Sequence, residues 1–487
     1  MPTKSYLQKK RFFFNFSEKC ITFANMKKRF ALFLTIWFVL DLIVALILDL
    51  HADEAYYRLY GEYLAWGYFD HPPMIGLMTF LSSKLFVSHG VLAKLSVRFC
   101  TLVLHVFTVI IVWEIFRQRH KERSETFIRD SQNGFFLIAG STVMFCATGF
   151  ITTPDAPLMF FAAAFWYCYC RYLDVVTKRD LWVWAVMIGI SIAGMLYSKY
   201  MGALVVAFVV LSNWRLIKDG RMWVALTIAF VLFAPHLYWQ YSNGFPTFSY
   251  HLVERNTEFD WLYLVEYIPN QLLVFNPLMT CLMFVLAWRV LRSDDAFKRA
   301  LGVDILGFEL FFLLSAFRGH VEPHWTMVAS VPAILLLMDD WTKRNTENTF
   351  FSKKWIRQTL VVMFVLVQIT RIVLCLKILP SSTGLAGQLS YYEYVRELAG
   401  DRPVVFEGSF QDASMYRFYH NEESTLVRTQ WQRYTQYDLL HLEENLIGKP
   451  VCIVRWNCQN VKDTVMGVEE YEIRYKLVDS FTLDDLK

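Results

Sequence analysis

The stretch LHADEAYYRLYGEYLAWGYFDHPP, residues 50–73, follows directly on an apolar run over residues 30–50. A run of that length can cross a bilayer, whose hydrocarbon core takes roughly 20 apolar residues per helix. An Asp-Glu pair, Asp53-Glu54, therefore stands where the first span leaves the membrane, and Asp70-His71-Pro72-Pro73 closes the stretch. What these residues do depends on which side they face.

The chain as a whole is too apolar for a soluble protein: 55% of its 487 residues are hydrophobic and 19% charged, with 42 Phe and 16 Trp. The composition predicts an all-α polytopic membrane protein. Apolar segments near 30-50, 92-116, 133-151, 157-174, 181-197, 200-215, 222-238, 264-290, 301-317, 325-341 and 355-379 give about eleven spans. The segment 264-290 is interrupted at Asn276-Pro277 and is expected to bend or split there. The stretch 74-88 is too short for a span and reads as a helix at the interface.

Basic loops stay on the cytoplasmic side. Lys and Arg crowd the tail before the first span (Lys4 to Arg29) and then alternate loops, at 117–129, 171–179, 215–221, 289–299 and 343–357. The intervening loops hold only Arg58, Lys84, Lys199, Arg255 and Arg318, with Lys94 and Arg98, just inside the second span, as exceptions. This asymmetry puts the N-terminus inside and the first outer loop, 51-91, outside. The tail 1-29 reads as a cytoplasmic basic segment and the first span as a retained signal anchor. The net charge of +4 comes largely from these loops, so no nucleic-acid partner is expected.

Composition changes once, after about Pro380. A transmembrane unit, 30-379, gives way to a polar unit, 380-487, with short β-branched or aromatic runs at 403–406, 451–454 and 471–475 and helical stretches near 389-399 and 410-420. Strands alternating with helices predict a small α/β extramembrane domain on the outer side. Cys452 and Cys458 fall there, where a disulfide is permitted.

With the topology in hand, the outer loops each carry a compact polar cluster: Asp53-Glu54 and Asp70-His71; Thr152-Thr153-Pro154-Asp155; Ser198-Lys199-Tyr200; and Arg318 to Trp325, with Glu322 and His324. Singly, each has a bland reading. Asp53, Asp70 or Asp155 could cap a helix, Lys199 could snorkel, and His324-Trp325 could anchor at the interface. Caps and anchors do not explain why carboxylates, a Lys and His residues share one side. That pattern points to an active site at the membrane surface.

The motifs resemble a known family. Asp53-Glu54 after the first span, YFDHPP (68–73), TPDAP (153–157), SKY (198–200) and EPHW (322–325) look like the polyprenyl-phosphate-sugar-dependent glycosyltransferases of the GT-C fold. The nearest likeness is to lipopolysaccharide-core galacturonosyltransferases, then to the aminoarabinose transferases of lipid A and the protein O-mannosyltransferases, over roughly residues 30 to 345. The resemblance implies a multi-pass inner-membrane enzyme with its site facing the periplasm. Its partners would be a polyprenyl-phosphate-linked sugar donor dissolved among membrane lipids and a lipid, glycan or protein acceptor.

By the same resemblance, Asp53 is the general base that takes the acceptor's proton while lipid phosphate leaves with inversion, and Asp155 is the second catalytic carboxylate. Lys199 is a point charge suited to the leaving phosphate, to which His71 and His324 can donate. Glu54, Tyr56, Tyr200 and Glu322 complete the expected substrate-binding set. The chain departs from the aminoarabinose transferases at His71, where those enzymes have Lys, and at Tyr56, where they have Arg. The spacing contains no dedicated ligand motif, so no cofactor is required by the sequence, while a divalent metal held by Asp53, Glu54, Asp155 and His residues stays open. Two other classes remain open at this point. A lipid-linked-glycan flippase or transporter would carry its charges near mid-span, and an O-antigen ligase or polymerase would lack the Asp-Glu pair.

Overall fold

The first helix, α1 (Lys28–Ile47), ends at Leu48-Asp49-Leu50, and α2 (Ala52–Glu62) begins at once. His51 caps α2: its side chain accepts from the Asp53 N–H, while the Glu54 carboxylate accepts from the His51 N–H. This reciprocal box satisfies two helix-end donors and fixes the phase of α2, so Asp53 and Glu54 point in different directions. The computed structural model describes residues 28–250, 259–343, 353–376, 389–429, 432–455 and 474–486. Most of the basic tail and Cys458 lie outside the described residues, while Cys452 is buried on a strand.

After α2 the chain turns through Asp70-His71 into α3 (Met74–Leu85), the helix read from sequence as interfacial, which packs back on α2. The two approach closely at Gly61, where a Cβ would lie 2.7 Å from the Phe80 nitrogen. The bundle continues with α4 (Leu95–Arg119), α5 (Glu125–Ser141), α6 (Val143–Ala147), α7 (Asp155–Asp174), α8 (Lys178–Ser198), α9 (Gly202–Ser212), α10 (Gly220–Ser242) and the short α11 (Pro246–Ser249). Then come α12 (Trp261–Phe275), α13 (Pro277–Val290), α14 (Ala296–Ser315), a 3-10 turn at Pro323–Ala329, α15 (Ser330–Lys343) and α16 (Lys353–Cys375).

Among the described residues, five helices are long and apolar enough to cross a membrane: α1, α4, α8, α10 and α16. The pair α12–α13 is the split segment expected from Asn276-Pro277, bent there by 97°. Asn276 holds the corner at φ 79°, ψ 152°, where its side chain caps Met279 and donates to the Ser141 carbonyl. The other segments read as spans are helical but either shorter, such as α9 and α15, or less apolar, such as α7 and α14. The five long helices expose large apolar side chains outward, including Leu32, Ile36, Ile43, Val186, Ile190, Phe230, Val231, Val362 and Ile369. An apolar belt of this kind is what lipid covers.

Inside the belt sits an ionic cluster. Arg371 on α16 lies 3.0 Å from Asp41 on α1, and His105 on α4 lies 3.8 Å from the same carboxylate, all three nearly sealed from solvent. Lys94 and Arg98, the exceptions to the charge rule, are also engaged. Lys94 Nζ binds Asp49 and the Ile47 carbonyl at 2.9 Å, and Arg98 is fully buried against Glu54.

The C-terminal segment forms α17 (Leu389–Ala399), β1 (Val404–Glu407), α18 (Phe410–Tyr419), β2 (Thr425–Val427), the short α19 (Gln436–Leu440), β3 (Val451–Arg455) and β4 (Arg474–Val478). The sheet order is β2-β1-β3-β4, with β1 parallel to both β2 and β3, and β3 antiparallel to β4. The apolar runs of β1 and β3 have no polar alternation because both strands are buried in the middle of the sheet. Helix α18 lies on α2, and one apolar cluster joins Leu50, Tyr56, Tyr60 and Tyr68 to Tyr392, Phe406, Tyr416 and Tyr437.

Candidate active site

A cavity of about 990 Å³ opens where the ends of the bundle helices meet α2 and the C-terminal segment. Of the residues singled out in the sequence, Asp53, Tyr56, His71, Asp155, Lys199, Tyr200, Glu322 and His324 line it, although they come from loops up to 271 residues apart.

Glu54 does not line it, and the substrate-binding role expected for it is corrected here. Its side chain is fully buried, with Oε1 accepting from Arg98 Nε (2.8 Å) and the Thr152 N–H (2.8 Å). Oε2 accepts from Arg98 Nη2 (2.5 Å) and the His51 N–H (2.9 Å). Arg98 uses its remaining donors on the carbonyls of Ala45, Leu48 and Asp49. The pair welds the exit of α1 to α4 and to the loop before α7. A buried ion pair is tolerable only when its hydrogen bonds are completed in this way.

Asp53, one residue earlier, behaves oppositely. Its side chain keeps 37% exposure at the cavity wall. Oδ1 accepts from Gln411 Nε2 at 3.0 Å, and Oδ2 lies 3.7 Å from His51 Nδ1. It is the more open of the two central carboxylates and can receive a proton from a bound molecule.

Asp155 opens α7 and is almost sealed, with Lys199 Nζ 2.9 and 3.0 Å from its two oxygens and His324 Nε2 3.7 Å from Oδ2. Burial alone would raise its pKa, but the Lys199 ammonium and His324 outweigh burial and hold the carboxyl below the ordinary range. His324 is pushed the other way: burial and the nearby ammonium lower its pKa, so near neutral pH it is an uncharged imidazole. Lys199 is thus a shared cation, tied to Asp155 on one side and facing the cavity on the other.

Asp70 does not cap a helix; the N-cap of α3 is Pro73. Its Oδ2 accepts from the Tyr56 and Tyr60 hydroxyls at 2.8 and 3.0 Å, and Oδ1 binds Arg433 at 2.5 Å. Burial would raise its pKa; Arg433, His71 and these hydrogen bonds carry it below the ordinary value. Tyr56 therefore lines the cavity with its hydroxyl committed, donating to Asp70 and accepting from the Gln436 N–H. His71 Nε2 meets the Tyr57 hydroxyl at 3.1 Å. The Tyr200 hydroxyl bonds His236 Nε2 at 2.6 Å; since His236 Nδ1 faces the Trp66 carbonyl at 2.7 Å, the proton sits on Nδ1 and Nε2 accepts. Glu322 is half-exposed at the rim, 3.7 Å from His320.

The sequence reading missed the third wall. Phe410, Gln411 and Arg433 line the cavity from the C-terminal segment, with Tyr250 from the bundle side. Arg433 stacks over both Tyr250 and Phe410 while binding Asp70. Among the described residues, no three His, Cys, Asp or Glu side chains converge where a metal ion could be held.

Comparison with known proteins agrees with this architecture. Residues 70–239 match the family described as dolichyl-phosphate-mannose-protein mannosyltransferase. The chain is similar to ArnT from Cupriavidus metallidurans in the apo state, with a TM-score of 0.62 at 14% identity over 87% of this chain and 92% of ArnT. Against ArnT bound to undecaprenyl phosphate the TM-score is 0.59 at 13% identity, over 88% and 93% of the two chains. A comparison with curated protein sequences gives no match. The chain thus has the GT-C fold that its motifs implied, and the family match and structural likeness together indicate a glycosyltransferase.

Proposed function

We propose that this chain transfers a sugar from a polyprenyl-phosphate-linked donor to an acceptor hydroxyl, with inversion, and that Asp53 is the general base. The observation that carries the proposal is a single cavity with a half-exposed carboxylate, Asp53, and a sealed Asp155–Lys199 ion pair on its wall. In this reading the acceptor O–H gives its proton to Asp53 as the oxygen bonds the anomeric carbon. The bond from that carbon to the phosphate oxygen breaks, and the lipid phosphate departs with the electron pair.

The leaving group carries growing negative charge, and stabilising such charge with pre-placed donors is often the largest catalytic contribution. Lys199 is suited to it because Asp155 fixes its position, and neutral His324 adds an uncharged donor, with His71 on the same cavity wall. Asp155 then acts through Lys199. Support for a lipid phosphate comes from the family match, whose description names dolichyl phosphate, and from ArnT, solved with undecaprenyl phosphate. The apolar belt would bring such a donor to the cavity within the membrane, since burying its chain is worth about 0.8 kcal/mol per CH2. We place the cavity on the periplasmic side of an inner membrane, with residues 380-487 as an outer domain, on the strength of the charge asymmetry. A lipid A or core glycan, another glycan, or a protein could present the hydroxyl.

The test is mass spectrometry of membrane lipids, surface glycans and glycoproteins from cells lacking this chain, complemented with wild type or Asp53→Asn. A glycan mass lost in the deletion, restored by wild type and not by the variant, is the expected result. Restoration by both would replace catalysis with a transport or structural role.

A further inference from the structure

Asp53 reaches the cavity from the second position of α2, and its only side-chain hydrogen bond among the described residues comes from Gln411, 358 residues away. A carboxylate only accepts, so the group 3.0 Å from Oδ1 is the Gln411 amide N–H. Gln411 is itself held in place. It stands in the first turn of α18, whose start is capped by Ser409. Helix α18 is pinned to α2 and to the turn before it by Arg417 to Glu62 (2.7 Å), by the Leu50 N–H to the Tyr419 hydroxyl (3.1 Å) and by the Phe410 ring 4.6 Å from that of Tyr56.

We propose that Gln411 is a positioning residue for Asp53, its amide fixing the rotation of the carboxylate so that Oδ2 is the oxygen presented to the acceptor hydroxyl. The inference rests on the reading of Asp53 as base and adds to it. The terminal torsion of an Asp side chain is broad, so without a partner either oxygen, in many orientations, would face the cavity. With Oδ1 engaged, one lone-pair direction is set. The proton passes from the acceptor oxygen to Oδ2 and the amide exchanges none. Misplacing a reacting group by about 1 Å costs up to about a hundredfold in rate, which sets the size of the expected effect.

Membranes from cells lacking the chain hold their own donor and acceptor. Purified full-length wild type, Asp53→Asn, Gln411→Met and Gln411→Glu are added in detergent, and growth of the glycan mass peak is followed from pH 5 to 8. Gln411→Met keeps length and removes the donor; its rate should fall about 10- to 100-fold below wild type at every pH, with folded yield unchanged. In Gln411→Glu, a protonated carboxyl can donate the same bond, so its rate relative to wild type should recover as pH falls and vanish as pH rises. The other titratable and charged groups facing this pair are His51, Tyr57, His324 and, beside Phe410, Arg433; all are common to every variant.

A wild-type rate in Gln411→Met beside an inactive Asp53→Asn overturns the role of Gln411 and leaves the base in place. Activity in Asp53→Asn overturns the base itself. A Gln411→Glu rate equally low at every pH reduces Gln411 to packing and also overturns the proposal. If Gln411→Met gives less folded protein, the pH reversal in Gln411→Glu decides alone.

Discussion

Lys199 and Asp155 form a closed pair: the ammonium bridges both carboxylate oxygens, at 2.9 and 3.0 Å, in a wall where the side chains keep 9% and 2% exposure. Removing either partner strands a charge out of water, which costs about 3–5 kcal/mol. Lys199→Met should therefore lower the thermal midpoint in detergent as well as transfer. His324, 3.7 Å from Asp155, would then be the remaining cation. Losing the ammonium removes one of the two causes that lower the His324 pKa, so a proton on His324 in the variant gives stabilisation that is present at acidic pH and lost as pH rises toward neutrality. The deficit of Lys199→Met against wild type should accordingly shrink on acidification through that range. A pH-independent deficit would count against His324 as the substitute partner.

Adjacent carboxylates should give opposite phenotypes. Asp53→Asn is expected to run as a folded, monodisperse protein and to transfer nothing. Glu54→Ala leaves Arg98 buried with only backbone carbonyls for company, at about 3–5 kcal/mol, and should be recovered poorly or aggregated. Size-exclusion profiles of the two variants, read beside their activities, check both statements.

The Asp70–Arg433 bridge predicts acid sensitivity of a defined kind. Because the folded pKa of Asp70 is depressed, the bridge's stabilisation is fully present above the ordinary carboxylate value of about 4 and is lost as pH falls through the lower folded value. Below about pH 4 the segment from Phe410 to Gln436 should become open to protease. Asp70→Asn should be more open than wild type at neutral pH and lack that acid step.

Within the membrane, Arg371→Met should destabilise the chain by about 3–5 kcal/mol because Asp41 loses its guanidinium partner among apolar helices and keeps only His105, 3.8 Å away. The double variant Arg371→Met/Asp41→Leu should recover most of that loss, since apolar replacements of a buried pair are often neutral or better. Thermal midpoints of the two singles and the double form the cycle. A double variant as unstable as the sum would mean that the pair has other essential partners.

How much of this was legible follows from where the signal lay. Asp53, His71, Asp155, Lys199, Glu322 and His324 stand out in sequence because charge at the end of an apolar segment is conspicuous, and the cavity collects them all. Glu54 was misread because two adjacent carboxylates are equivalent until the phase of α2 is known; the neglected clue was Arg98, an arginine inside a span that demands a buried acid. Gln411 and Arg433 carried no signal of their own. They are ordinary polar residues in a polar segment, brought to the site by α18 packing on α2 and by the loop before α19. The count of eleven spans treated every apolar run alike, whereas several of those helices are short or less apolar.

The reach of the closing contacts has a consequence for biogenesis. Asp53 leaves the ribosome early, but the contacts that close this region, Gln411 on Asp53, Arg433 on Asp70 and Gln436 on Phe69, each join residues some 360 positions apart. Chain synthesis at about 5–20 residues per second thus leaves the carboxylate waiting tens of seconds for its third wall. During that interval the apolar helices already made can insert. A nascent chain whose cavity lacks its third wall is therefore a stage in the synthesis of this protein, and the Gln411 contact to Asp53 forms only after α18 has docked.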